Sequence, residues 1–213
     1  MDYEEPDCTF CRALPGVGLN PVTAPSAPVD QILSVGPSVV LTPTLGTLVP
    51  GYLMVVTTEH LTSVGALGTS RLPELQSWLR SRLAQLEPVF GQYLVFEHGS
   101  GKSRRDAPSG ACIVHAHLHL VPANDSLIAL LRQSLAWRAL ASFSDLANFA
   151  DQNYAFLETE AGRYISTEID LPGQWIRRQV AQSIGRSDYY DWGVFSGEEE
   201  LQETLARLPQ FMA

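Results

Sequence analysis

Residues 111–122 read Ala-Cys-Ile-Val-His-Ala-His-Leu-His-Leu-Val-Pro and place His115, His117 and His119 at alternate positions, using three of the chain's five histidines. In an extended strand alternate side chains share a face, so this spacing predicts three imidazoles on one surface, with Ala116, Leu118 and Leu120 entering the core. A helix would scatter them around its axis. Imidazole is neutral or protonated near neutral pH and serves as nucleophile, acid, base or metal ligand, so three together predict a reaction centre. The alternative is a strand whose polar face happens to carry histidine. Cys8 and Cys11 form a Cys-x-x-Cys, and with Cys112 they make an odd total of three. In a reducing compartment the pair reads as a metal half-site rather than a disulfide, and Cys112 as a buried thiol.

The elements that must hold these residues follow from hydrophobic pattern and turn chemistry. Residues 31–35 and 38–42 are apolar runs joined by Gly36-Pro37, the composition of two strands and a turn, and 52–57 is a third strand. Leu72, Leu75, Leu79, Leu83 and Leu86 keep helical spacing after Ser70, a candidate cap. Residues 92–97 and 112–121 supply two further strands around a polar loop, 99–110, whose Lys102, Arg104 and Arg105 either meet phosphate or are solvated. Residues 126–143 are a candidate amphipathic helix, 154–159 and 163–168 a hairpin across Glu160-Ala161-Gly162, and 172–184 a helix begun by Pro172 and ended near Gly185.

The 213 residues, 45% hydrophobic, suffice for one domain or one domain with an extension. A net charge of −9 without a basic run excludes general binding to extended nucleic acid, but allows a small nucleotide in a local pocket. No apolar stretch reaches membrane-span length and Met1-Asp2-Tyr3-Glu4-Glu5 has the wrong charge for a signal peptide, so a cytoplasmic protein without membrane contact is expected.

His115-x-His117-x-His119 followed by two apolar residues resembles the signature of the histidine triad (HIT) family. Cys8-Thr9-Phe10-Cys11 resembles the N-terminal pair of many bacterial members, residues 48–56 with Glu59-His60-Leu61 the family's strand and turn, and residues 95–99 its short strand end before a glycine. These motifs cover residues 8–122 in the family's order. The resemblance implies an α+β fold with an antiparallel HIT-like sheet, divided into a catalytic core at 1–122 with a zinc half-site and a C-terminal hairpin and helix extension at 123–213 packed on it. Gln174, Arg177 and Arg178, then Asp191-Trp192, resemble the C-terminal segment of longer bacterial HIT-like proteins. Plain surface-helix residues are the other reading of that segment.

By the same resemblance His117 attacks the α-phosphorus of a nucleotide, and His119 contacts the phosphoryl oxygens. Glu97, His98, Ser109, Gly110, Gln174 and Arg177 are the candidate substrate-binding residues. Cys8, Cys11, His60 and His115 match the four zinc ligands of metal-containing members, a closed and therefore structural site. The implied function is a nucleotide hydrolase releasing a nucleoside monophosphate from a phosphate, phosphoramidate or dinucleoside polyphosphate, with a homodimer allowed. A transferase or phosphorylase using the same histidine, and a nucleotide binder without turnover, are the alternatives. His119 favours hydrolysis over the uridylyltransferase branch, which has glutamine there. Tyr52 departs from a common histidine, and Ala111 from a common glutamine.

Overall fold

A computed structural model of the chain describes residues 8–13, 31–44, 46–101, 114–167 and 171–208. Its centre is an eight-stranded sheet in the order β1-β2-β3-β5-β4-β7-β8-β6 with every neighbouring pair antiparallel. The strands are β1 Ser34–Gly36, β2 Val39–Pro43, β3 Leu53–Thr57, β4 Tyr93–Gly99, β5 His117–Pro122, β6 Arg138–Ala139, β7 Tyr154–Thr159 and β8 Gly162–Ser166. Among the described residues five α-helices accompany them: α1 Thr9–Ala13, α2 Gly68–Phe90, α3 Asp125–Ser134, α4 Trp175–Ser183 and α5 Glu198–Arg207. The α+β expectation holds, as does the antiparallel sheet.

The sheet is covered on both faces, and this explains why β2 and β3 read as unbroken apolar runs rather than alternating ones. One face presents Leu53, Val55, Val95, Leu118, Leu120 and Phe156 to Leu72, Leu75, Leu79 and Leu86 of α2. Leu118 and Leu120 are fully buried, and truncating such a leucine costs about 2–5 kcal/mol, so β5 is held rigidly from behind. The other face is covered in two pieces. Cys8, Phe10 and Cys11 of the N-terminal segment pack on Val40, Met54 and Val56. Leu127 and Leu131 of α3 with Trp175, Ile176, Val180 and Ala181 of α4 pack on Leu94, Phe96, Val121 and Leu157. Strand β5 runs between β3 and β4 and so brings its polar face up between the two coverings.

Several elements differ from the sequence expectation, among them β6, whose two residues lie in the segment expected as helix. Ser70 lies inside α2, which starts at Gly68 directly after a 3-10 turn over Val64–Leu67. The helix expected over 126–143 stops at Ser134, because Leu135 is extended and the Leu131 carbonyl accepts hydrogen bonds from Ser134 Oγ and Trp137 Nε1. A capping box of Ser142 and Asp145 then begins a separate 3-10 helix, Phe143–Phe149. Pro172 does not open α4; the helix starts at Trp175 behind Gln174, a left-handed residue with φ 58°. Helix α5, which the sequence reading does not include, places Thr204 and Leu201 in the interior. The hairpin is as expected through Ser166, while Glu168 lies outside the described residues.

Candidate functional site

Ladder pairing of β5 begins at His117, with Val56 opposite His117 and Met54 opposite His119 on β3. Alternation nevertheless reaches back through Ala116, whose N–H donates to Leu61 O and whose carbonyl accepts from Thr57 N–H. His115 is therefore turned, buried, toward the N-terminal cysteines. Its Nε2 donates to Thr57 O at 2.8 Å, which leaves Nδ1 as the lone-pair nitrogen, 3.4 Å from Cys8 Sγ and 3.5 Å from Cys11 Sγ. His60 Nδ1 lies 3.3 Å from Cys11 Sγ.

The four ligand atoms of Cys8, Cys11, His60 and His115 lie within 4.8 Å of one another. Neither cysteine forms a disulfide. Burial pushes the Cys8 thiol up, but its contacts with the His115 and His60 side chains and the Cys11 backbone outweigh it and hold the group at about 5. Two cysteine sulfurs and two imidazoles, one with its other nitrogen fixed on a carbonyl, are the donor set of a closed tetrahedral zinc site. The residues fit the metal.

On the same sheet face, His117 Nδ1 lies 2.6 Å from the His115 carbonyl oxygen. A carbonyl only accepts, so Nδ1 carries the proton and Nε2 keeps its lone pair. Burial pushes this imidazole down to about 4, so it is neutral at physiological pH. His119 is held well below its usual range by burial first, then by His117, Arg177 and His98. The two rings meet edge to face with centroids 4.7 Å apart. Phe10, from between the two cysteines, lies edge-on to both His115 and His117, with centroids 5.7 and 5.4 Å away. Sequence reasoning passed over Phe10, although its place inside the Cys-x-x-Cys was the available signal.

Tyr52, fully buried, has its hydroxyl 3.0 Å from His119 Nδ1. The preceding Gly51 explains its placement. Gly51 has φ 86°, its N–H donates to Thr204 Oγ1 of α5, its carbonyl accepts from Tyr93 Oη, and a Cβ there would stand 2.6 Å from the Phe90 ring. Helix α5 thus secures the turn that delivers Tyr52.

The remaining candidates separate. His98 is on the same sheet face as the imidazoles and near enough to depress both. Glu97 points to the opposite face, buried, where Oε1 accepts the Val64 N–H at 2.6 Å and Oε2 the Tyr154 hydroxyl at 2.5 Å. It is not brought to the imidazoles, because adjacent residues on a strand face opposite ways. Arg177 is buried behind Tyr52, its Cζ 6.0 Å from that ring, and donates to Gly46 O and Tyr190 O at 2.6 and 2.7 Å. Gln174 donates to Asp191 Oδ1 and accepts the Trp192 N–H, both at 3.2 Å. The Gln174, Arg177 and Asp191-Trp192 set is therefore brought together, as a brace between α4 and the 190–193 segment. Ser109 and Gly110 lie outside the described residues, as do Lys102, Arg104, Arg105, Ala111 and Cys112.

No protein-family model and no curated protein sequence matches the chain. Among solved structures it is similar to a HIT-like protein involved in cell-cycle regulation from Bartonella henselae, with 13% identity and a TM-score of 0.32 over 56% of this chain and 80% of that one. It is also similar to yeast Ap4A phosphorylase Apa2, with 15% identity and a TM-score of 0.38 over 81% of this chain and 72% of that one. A uridylyltransferase gives 12% identity and a TM-score of 0.35 over 91% and 94%.

Proposed function

We propose that the protein is a nucleotide hydrolase that releases a nucleoside monophosphate through a nucleotidyl-His117 intermediate. The observation that carries the reading is the 2.6 Å hydrogen bond from His117 Nδ1–H to the His115 carbonyl, which leaves Nε2 of a neutral imidazole as a free lone pair on a rigid strand. Nε2 attacks the α-phosphorus as the bond to the leaving group breaks, and water then cleaves the phosphorus–nitrogen bond and frees His117. His119 stabilises charge on the phosphoryl oxygens. His98 and the Ser109-Gly110 segment are the substrate-binding candidates; Glu97 is not carried into this reading.

Cys8, Cys11, His60 and His115 hold a zinc ion whose role is structural. It joins the N-terminal segment and the turn after β3 to the start of β5, and takes no part in phosphoryl chemistry. Residues 1–122 form the catalytic core in this reading and 123–213 its extension, although β7 of the latter pairs directly with β4.

The test is a panel of adenosine, guanosine, cytidine and uridine phosphoramidates and dinucleoside polyphosphates, with monophosphate release measured in the presence and absence of inorganic phosphate. Monophosphate with solvent oxygen is expected. A product that incorporates added phosphate would replace hydrolase by phosphorylase, and failure to trap any nucleotidyl-protein would overturn the nucleophile.

A further inference from the structure

His117 and His119 are two imidazoles on one face of one strand, yet their partners are of opposite character. His117 Nδ1 meets a backbone carbonyl, an obligatory acceptor. His119 Nδ1 meets the Tyr52 hydroxyl at 3.0 Å, a group able to donate. A neutral imidazole has one donor and one acceptor nitrogen, so whatever is fixed at Nδ1 decides what Nε2 offers.

We propose that Tyr52 is a positioning residue that donates its hydroxyl proton to His119 Nδ1 and so presents His119 Nε2–H as a hydrogen-bond donor to the transferred phosphoryl group. The two imidazoles then have complementary tautomers: His117 offers a lone pair to phosphorus, and His119 a proton-bearing nitrogen to a non-bridging oxygen. The His119 proton is shared in that hydrogen bond and stays on nitrogen. This rests on the nucleotidyl reading for its catalytic consequence, whereas the tautomer itself does not.

Three observations support the direction of the Tyr52 hydrogen bond. The ring is locked among Leu48, Leu94, Phe96 and Trp175, and Gly51 is fixed from Thr204, Tyr93 and Phe90, so the hydroxyl is delivered on a rigid support. The Arg177 guanidinium, 6.0 Å from the ring and itself anchored on two carbonyls, sets a positive charge behind the phenol and strengthens it as a donor. Burial keeps the phenol protonated and the imidazole neutral, so the hydroxyl has a proton to give and the ring has one lone pair able to receive it. A buried hydroxyl without such a partner would cost about 1–3 kcal/mol.

The experiment is nitrogen-15 NMR of the histidine rings in the zinc-loaded wild-type protein without nucleotide, together with steady-state kinetics of Tyr52→Phe, which removes a single oxygen. A bare Nδ1 and protonated Nε2 on wild-type His119 are expected; a protonated Nδ1 would overturn the proposal whether or not any variant folds. For Tyr52→Phe, at unchanged zinc content, a mixed His119 tautomer and a kcat lowered about 10- to 100-fold are expected, with KM within about twofold, a smaller loss than removing a transition-state donor outright. A wild-type kcat in that variant, or an unchanged single Nε2–H tautomer, would also overturn it. Failure of the nucleotidyl reading would show separately, as the absence of a covalent adduct on wild-type His117.

Discussion

His115 serves two neighbours at once: its imidazole Nδ1 faces Cys8 Sγ at 3.4 Å, while its backbone carbonyl accepts the His117 Nδ1–H at 2.6 Å. The same residue that anchors the cysteine pair thus also sets the tautomer of the candidate nucleophile. One peptide unit links the cysteine–histidine cluster to the His117 ring.

His117→Ala is expected to lower turnover by about 10³-fold or more, because removing a covalent catalyst leaves only binding and electrostatic assistance. The side chain is half-buried, and its neighbours Ala116 and Leu118 do the packing. The melting temperature and zinc content should therefore stay close to wild type. Single-turnover assays with an activated nucleotide ester check this, and more than a few per cent of residual activity would exclude His117 as the nucleophile.

The purified protein is expected to carry about one zinc per chain, lost in Cys8→Ser, since a closed Cys₂His₂ site cannot spare a thiolate. Loss of the metal releases Phe10 from His115 and His117 and frees the start of β5. The melting temperature should fall by about 5 °C or more, and activity should fall with it. Elemental analysis beside calorimetry measures both; retention of metal and wild-type melting in Cys8→Ser would remove the site.

Arg177→Ala is expected to act through stability first. The guanidinium is buried and donates to the buried Gly46 carbonyl and the part-buried Tyr190 carbonyl, so truncation strands both acceptors and opens the space behind Tyr52. A loss of about 3 kcal/mol is expected, measured by urea unfolding. A wild-type unfolding midpoint with a raised KM would instead put Arg177 on the substrate.

The triad and the cysteine pair were legible because their chemistry is local in spacing: alternate histidines read out directly on a strand, and Cys-x-x-Cys on one turn; His60, far from both in sequence, came only with the family resemblance. Most of the sheet was legible strand by strand, since its apolar runs are bounded by Gly and Pro; β6, two exposed residues inside the segment expected as helix, was not. Other features depend on tertiary contacts that spacing does not carry. Glu97 looked like a site residue because it falls at the short strand end before a glycine in the resembling family, but strand alternation turns it to the opposite face, where Tyr154 and Val64 take up its oxygens. Tyr52 looked like a loss, and only the pairing of β3 with β5 shows its hydroxyl on His119. Two signals were present and unused: the Ser142…Asp145 capping box that divides the 126–143 segment, and the Glu198-Glu199-Glu200 run at the start of α5, where acidic residues favour a helix N-terminus.

Glu97 also makes stability depend on pH in a direction unusual for a carboxylate. Burial pushes its carboxyl up to about 7, against the hydrogen bonds from Tyr154 and the Val64 N–H that would lower it. In the unfolded chain the group ionises near its ordinary value of 4.5. Between these two values the folded protein holds a proton that the unfolded chain has released, so stability falls as pH rises through the interval and levels off above about 7. Raising a carboxyl from 4.5 to about 7 amounts to about 3 kcal/mol across the interval. Glu97→Gln keeps an acceptor for the Val64 N–H and carries no charge at any pH. Its stability relative to wild type is therefore expected to increase between about pH 4.5 and 7, by up to about that amount, and to be constant on either side. Urea unfolding of both proteins at closely spaced pH values measures the difference, and two parallel stability curves would show that Glu97 is ionised in the fold at neutral pH.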